Sequence, residues 1–285
     1  MKRAFSLIEL SVVILIIGIL VLGITKGSRI LIESKLKSAR QLTTNSPVAS
    51  IEGLAYWFDA TSEKSFDPAE VADGSLITNW YDLNPQSSVR NDLSNSGSAR
   101  PTYIKKCIND LPCLDFDSND YMTMSSQNAG NVSPGVSFFM VVKFDALPIN
   151  PAAATLITSN TPFPASWIVI QLFSSLKMGY GVGGRTPGDT WAQNQTTYAA
   201  NKLYLVNAID TPKTTTIYVN GVSDTSPTQN ITTYTGVNLY NISIGGVGNG
   251  YLNGRVAEII VFERGLKDSE RIAVTDYLKK KWAIK

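Results

Sequence analysis

From Phe5 to Ile24 the chain passes almost without a break through apolar side chains, with only Ser6, Glu9 and Ser11 polar. Wound as a helix at about 1.5 Å per residue, about 20 residues reach roughly 30 Å, the thickness of a bilayer's hydrocarbon core. The run therefore predicts a membrane span. A carboxylate inside such a span is costly unless it is paired, so Glu9 calls for a partner. A cleaved secretory signal would have a shorter apolar core and an Ala-x-Ala-like site after it. Here the run is followed by Gly23-Ile-Thr-Lys-Gly-Ser28, a poor match. An ordinary N-terminal anchor fits the length but leaves Glu9 unexplained.

The helical pattern continues. Ile32, Leu36, Ala39 and Leu42 recur at helical spacing, with Arg29, Lys35, Lys37 and Arg40 on other faces. Pro47 disfavours helix at the residue before it, so the stem is expected to end near residue 46. The apolar stripe is expected either to be solvated or to face neighbouring stems. Residues 1–42 hold seven of the 25 Lys/Arg and two of the 23 Asp/Glu, which leaves 18 against 21 in the remainder. That slightly acidic balance argues against nucleic acid as a partner.

Beyond residue 50 the chain breaks into short β-branched and aromatic runs cut by Gly, Asn, Pro and Ser. Strands are expected at Leu54–Asp59, Val136–Phe144, Trp167–Leu172, Leu203–Ile209, Thr215–Val219, Ile242–Ile244 and Val256–Phe262, with a tight hairpin at Asn220-Gly221. Many short strands joined by turns predict an antiparallel sandwich. One helix closes the chain, with Asp268 as its N-cap, a buried stripe of Val274, Leu278 and Trp282, and Lys279–Lys281 in water. Cys107 and Cys113 flank a turn-forming Asn-Asp and are expected to be disulfide-bonded in an oxidising exterior. With no histidine in the chain, a metal site at these cysteines lacks further ligands. The fold class expected is thus a long N-terminal helix (membrane span plus stem), then an all-β antiparallel sandwich, which the resemblance given below makes a jelly roll, with a C-terminal helix.

At its start, Lys2-Arg3-Ala4 followed by Phe5-Ser-Leu-Ile-Glu9, the chain resembles type IV pilins and the pseudopilins of type II secretion. That resemblance implies a leader of residues 1–4, a span and stem over 5–46, and a head over 47–285. It implies cleavage between Ala4 and Phe5 by a prepilin peptidase and methylation of the Phe5 amine. Glu9 would then pair with that amine on a neighbouring subunit during filament assembly. The resemblance also implies an inner-membrane subunit with a periplasmic head, later on a pilus or the surface of a Gram-negative bacterium. Ala4 departs from the glycine usual there.

The remainder is similar to concanavalin A-like, laminin-G-like jelly rolls. The similarity is carried by Gly53-Leu-Ala-Tyr-Trp-Phe-Asp-Ala60, Trp80-Tyr-Asp-Leu-Asn84, Leu111-Pro-Cys-Leu-Asp-Phe-Asp117, Ile217-Tyr-Val-Asn-Gly221 and Leu252–Phe262. It implies a domain that binds glycans or protein ligands, in some cases with calcium.

Candidate sites are few. Asp115, Asp117 and Asn119 place oxygens at alternate positions, as calcium loops do, although strand alternation followed by a turn accounts for the same pattern. Asp82, Asn84, Asn91 and Asp92 form a second polar group, open between ligands and turn chemistry. Trp191, Tyr198 and Tyr234 lie in polar stretches and are candidates for glycan contact. The Gly245–Gly250 run opens no helix and is expected to be a rim hairpin. Without histidine, Ser-His and metal-His chemistry are excluded, and Glu258 stands alone in its strand, so no enzyme is expected. The reading is a filament subunit displaying a lectin-like sandwich for attachment. Its alternatives are a pseudopilin whose head contacts cargo and a monomeric anchored receptor.

Overall fold

Helix α1 spans Leu7–Thr44 and is 38 residues long. The structure, a computed structural model, describes residues 7–124, 132–149, 153–159, 168–182, 185–186, 190–225, 233–234, 236–239, 241–246 and 250–285; the side chains of residues 22–26, 28–29, 132, 185–186, 190–191, 233–234 and 238 lie outside that description. The expected membrane span needs correction. Among the described residues, no helix is long and apolar enough to cross a membrane. Glu9 and Ser11 lie within the apolar stretch that opens α1. Glu9 sits exposed in the first helical turn, where the positive end of the helix dipole favours a carboxylate.

The rest is a β-sandwich. Among the described residues, one sheet has nine strands. In spatial order these are Val222–Ser223, Thr215–Val219, Leu203–Asp210, Val136–Phe144, Asn253–Phe262, Leu111–Asp117, Thr102–Ile108 and Ser75–Leu76. The ninth, Leu54–Asp59, continues the Leu111–Asp117 side of the long Asn253–Phe262 strand, pairing from Leu54↔Phe262 to Asp59↔Glu258. The facing sheet has eight strands, with Ile168–Leu172, Ala154–Ser159 and Ile242–Ile244 at its centre. Asn220 and Gly221 take φ of 52° and 87°, the left-handed pair that a two-residue hairpin turn requires.

Two apolar layers hold these elements. Between the sheets lie Phe58, Trp80, Phe116, Phe138, Phe144, Ile170, Tyr180 and Ile244. On the outer face of the nine-stranded sheet, Trp57, Phe139, Leu205, Ile260 and Phe262 are covered by Val274, Leu278 and Trp282 of helix α2 (Asp268–Trp282) and by Ala39 of α1. Leu36 and Leu42 pack there as well. The α1 stripe that the sequence directs to water or to neighbouring stems thus closes the molecule's own second layer. The cap of α2 also differs from expectation: Lys267 occupies the N-cap, and its N–H donates to Glu270 Oε2 at 2.9 Å.

A β-bulge in the Asn253–Phe262 strand decides what faces the helices. Val256 pairs with Val142 and Glu258 with Val141, so Ala257 is the extra residue. Before it, Val256 points between the sheets; after it, Ile259 and Val261 do. Ala257, Ile260 and Phe262 belong to the helix-side layer, and Glu258 is turned to that side with them. In the neighbouring strand Tyr56 and Phe58 point between the sheets and Trp57 to the helix side. Asp59, two residues after Trp57, shares its face.

Candidate functional site

Under the helices, a charged group is sealed from water. Asp59, Glu258 and the Lys281 side chain are each 0% exposed. Lys281 Nζ lies 2.7 Å from Asp59 Oδ2 and 2.8 Å from Glu258 Oε2, and it donates to Thr43 Oγ1 at 2.8 Å. Glu258 accepts from Trp57 Nε1 (2.9 Å), Tyr277 Oη (2.6 Å) and Trp282 Nε1 (2.8 Å). Asp59 Oδ1 accepts from the Thr61 N–H (2.9 Å) and Thr61 Oγ1 (2.8 Å), while Thr43 Oγ1 donates to Asp59 Oδ2 at 2.8 Å. Burial pushes the Glu258 carboxyl up; the Lys281 ammonium acts against this and Asp59 adds to it. The same burial, with the Glu258 and Asp59 charges beside it, holds the Tyr277 hydroxyl well above the usual phenol range.

The sequence reading puts Lys281 in water, and the structure corrects it. Tyr277, Leu278, Lys281 and Trp282 share one buried face of α2 at helical spacing. The signal was present: a lysine on an apolar stripe, with acids at the ends or middles of two apolar strands. The cluster also fixes α1 to the sandwich through Thr43, with Arg40 donating to Thr61 O at 2.8 Å, an Arg40–Glu63 ion pair, and Lys35 meeting Asp110 at 3.0 Å.

At the far end of the same strands from the Asn109-Asp110 tip that meets α1, two loops form a rim. Ser118 N–H donates to Leu252 O at 3.0 Å and Asn253 Nδ2 to Ser118 Oγ at 2.7 Å. This join brings the Tyr121 and Tyr251 rings to 6.5 Å between centroids, and Tyr251 is 41% exposed. A Cβ on Gly246 would stand 2.3 Å from the Tyr251 ring, so only glycine lets the ring lie on that backbone. Exposed Asp117, Ser118 and Asn119 border the pair. Asp120 is buried behind them; its Oδ2 accepts from the Asp117 N–H at 3.1 Å, and burial pushes its carboxyl to about 6. The rim can therefore offer two aromatic faces beside carboxylate, hydroxyl and amide groups, the combination that holds a polar ring or a peptide. The sequence reading passed over Tyr121 and Tyr251, although a tyrosine closing a glycine-rich loop was a usable signal.

The residues nominated from sequence are scattered. Asp115 faces Arg255, whose Nε is 3.4 Å from Asp115 Oδ1 and 2.9 Å from Asp145 Oδ2; burial raises the Asp115 carboxyl and Arg255 counters it. Among the described residues, no group of three acidic or sulfur side chains could hold a metal ion. Tyr198 is not at the surface: it is 1% exposed and packs on Phe144 and Tyr204. Trp191 and Tyr234 fall on the strands Thr190–Gln193 and Thr233–Tyr234, in different sheets, and their side chains lie outside the described residues, as do Ala4 and Phe5 entirely. Cys107 and Cys113 form a disulfide with Cα atoms 5.7 Å apart, across the hairpin that ends in Asn109-Asp110. The polar group near Asp82 works as turn chemistry: Asp82 Oδ1 accepts from Trp57 N and Asn84 N at 3.0 Å each, and Asn84 Nδ2 donates to Leu54 O at 2.7 Å.

No protein-family model and no curated protein matches the sequence. Solved structures do share its fold. The Trypanosoma rangeli sialidase in complex with sialic acid aligns over 89% of this chain and 39% of its own, with a TM-score of 0.54 and 14% identity. The binding domain of Paraclostridial Mosquitocidal Protein 1 aligns over 80% of this chain and 52% of its own, with a TM-score of 0.57 and 13% identity. The chain thus matches between two fifths and about half the length of these proteins. At such identities the likeness defines a class of fold alone, the two-sheet β-sandwich. Within that class, this chain is one whose outer sheet face is covered by a long N-terminal and a short C-terminal helix.

Proposed function

We propose that the chain is a surface-display subunit whose sandwich binds a glycan or protein ligand at the Tyr121–Tyr251 rim. The observation that carries this reading is the partly exposed aromatic pair, bordered by Asp117, Ser118 and Asn253, at the end of the sandwich remote from the α1 attachment. Binding is favoured over catalysis because the carboxylates that converge on Lys281, Asp59 and Glu258, are fully buried, with no access to water or substrate. The N-terminal helix takes the assembly role in this proposal. Its side chains from Leu7 to Val21 are exposed and almost wholly apolar, a patch of the kind that marks a protein contact. With Lys2-Arg3-Ala4/Phe5 and Glu9, this supports a pilin-like subunit, trimmed before Phe5 and packed helix to helix. The disulfide fits an oxidising compartment outside the cytoplasm. Screening the folded chain on arrayed glycans and on extracellular matrix proteins tests the rim. Tyr251→Ala should weaken the interaction by about tenfold, the loss of one stacked aromatic contact, without moving the melting temperature. Binding that survives Tyr251→Ala and Tyr121→Ala together refutes the rim as the site.

A further inference from the structure

The buried group around Lys281 holds more than an ion pair requires. One carboxylate neutralises one ammonium, and a second buried carboxylate adds a cost without a matching charge. Yet Asp59 and Glu258 both converge on the same nitrogen, at 2.7 Å and 2.8 Å. Their surroundings are also asymmetric. Asp59 Oδ1 faces the Thr61 N–H and, at 2.8 Å, the Thr61 hydroxyl, whereas Asp59 Oδ2 faces Lys281 Nζ and the Thr43 hydroxyl, with the Thr61 hydroxyl also 3.0 Å away. Glu258 is held in place by two indole N–H groups and a phenol.

We propose that Lys281 and Asp59 condense within the folded chain to an amide that joins α2 to the Leu54–Asp59 strand, with Glu258 carrying the proton. Glu258 Oε2 takes one proton from Lys281 Nζ, freeing the nitrogen lone pair to attack Asp59 Cγ. Charge then collects on Asp59 Oδ1, where the Thr61 N–H and Oγ1 at 2.9 Å and 2.8 Å stand as an oxyanion hole. The Nζ–Cγ bond forms and the Cγ–Oδ2 bond breaks. Glu258 returns its proton to Oδ2. A second proton passes from Nζ through Thr43 Oγ1, which accepts from Lys281 and donates to Oδ2 at 2.8 Å on each side. Oδ2 leaves as water, nothing is oxidised or reduced, and Glu258 ends as it began. Two causes make an unactivated carboxylate reactive here. The fold holds amine and carbonyl in contact, which supplies a large effective concentration. The walls of Trp57, Tyr277 and Trp282, all buried, keep out the water that would reverse the step. That burial raises the Glu258 carboxyl suits it to hold the proton in transit.

Intact-mass spectrometry of the purified, folded full chain decides the matter. The expected result is a mass one water below that of the disulfide-bonded sequence, and a branched proteolytic peptide containing both Asp59 and Lys281. Lys281→Arg keeps the charge and should retain the water. Glu258→Gln should retain it too, and should migrate differently from wild type on a denaturing gel. Asp59→Asn should lose ammonia instead and arrive at the wild-type product mass. A folded wild-type chain at full mass overturns the proposal, whatever the variants do. A water loss that maps to a single linear peptide, such as an imide, overturns it equally. Full conversion in Glu258→Gln would remove Glu258 from the step.

Discussion

Replacing Asp82 by asparagine should make this protein more stable near neutral pH. Asp82 is 7% exposed, and burial pushes its carboxyl from 3.8 to about 6, even though the backbone amides of Trp57, Asn84 and Asn91 favour its charged form. In the unfolded chain the same group ionises near 3.9. Between about pH 4 and pH 6 the folded state therefore keeps a proton that the unfolded state has released, and stability falls as pH rises through that window. A displacement of roughly two pH units, at 1.36 kcal/mol each, makes the loss about 3 kcal/mol, complete above about pH 6. Asparagine offers the Trp57 and Asn84 amides an oxygen in the same place and never ionises. Urea unfolding at about pH 4, 5, 6 and 7.5 provides the test. The two chains should match near pH 4 and diverge by about 2–3 kcal/mol at pH 7.5 in favour of the variant. Parallel pH profiles, or a variant less stable at pH 7.5, would refute the argument.

Gly254→Ala should lower the melting temperature sharply, because the new Cβ would stand 2.4 Å from Lys143 O in the adjoining central strand; a cost of about 2 kcal/mol or more is expected by thermal denaturation. Glu9→Val should leave the fold of the sandwich unchanged, as Glu9 lies exposed in the first turn of α1; the proposed pilin-like role requires that it also abolish filaments counted by electron microscopy, and filaments formed by the variant would refute that role.

The sandwich was legible in the sequence because most of its central strands are short apolar runs bounded by turn residues. Leu54–Asp59, Val136–Phe144, Thr215–Val219 and Ile242–Ile244 begin and end where the sequence places them. Asn220-Gly221 signalled its turn by the two residue types that accept positive φ. What misled was the reading of polar side chains one at a time. Lys281 follows two other lysines, and local charge made all three look solvated; only the helical phase relative to Tyr277 and Leu278 assigns it inward. Tyr198 lies in a polar stretch, and its burial depends on Phe144, far away in sequence, and on Tyr204 across the following turn, neither of which the local pattern marks as its partner. The α1 stripe was found, but its partner was not, since a stripe states that something covers it and not what. The membrane span rests on an apolar run alone, and among the described residues no helix is long and apolar enough to cross a membrane.

The bulge at Ala257 makes the buried charges a matter of reading frame. Up to Val256 the even-numbered side chains of that strand enter the space between the sheets; beyond Ala257 the odd-numbered ones do. Taking that one alanine into regular pairing opposite Val141 would shift the parity of everything after it or break the pairing with Leu54–Asp59. Glu258 would then be driven among Phe58 and Phe138 while Lys281 faced an alkyl chain. The strand is central and both its neighbours are fixed in register, so the bulge cannot migrate without cost. Because Val256 and Glu258 already sit opposite the consecutive residues Val142 and Val141, loss of Ala257 would leave Glu258 on the helix side, and it is the unpaired state of Ala257, not its presence, that keeps the carboxylate facing Lys281.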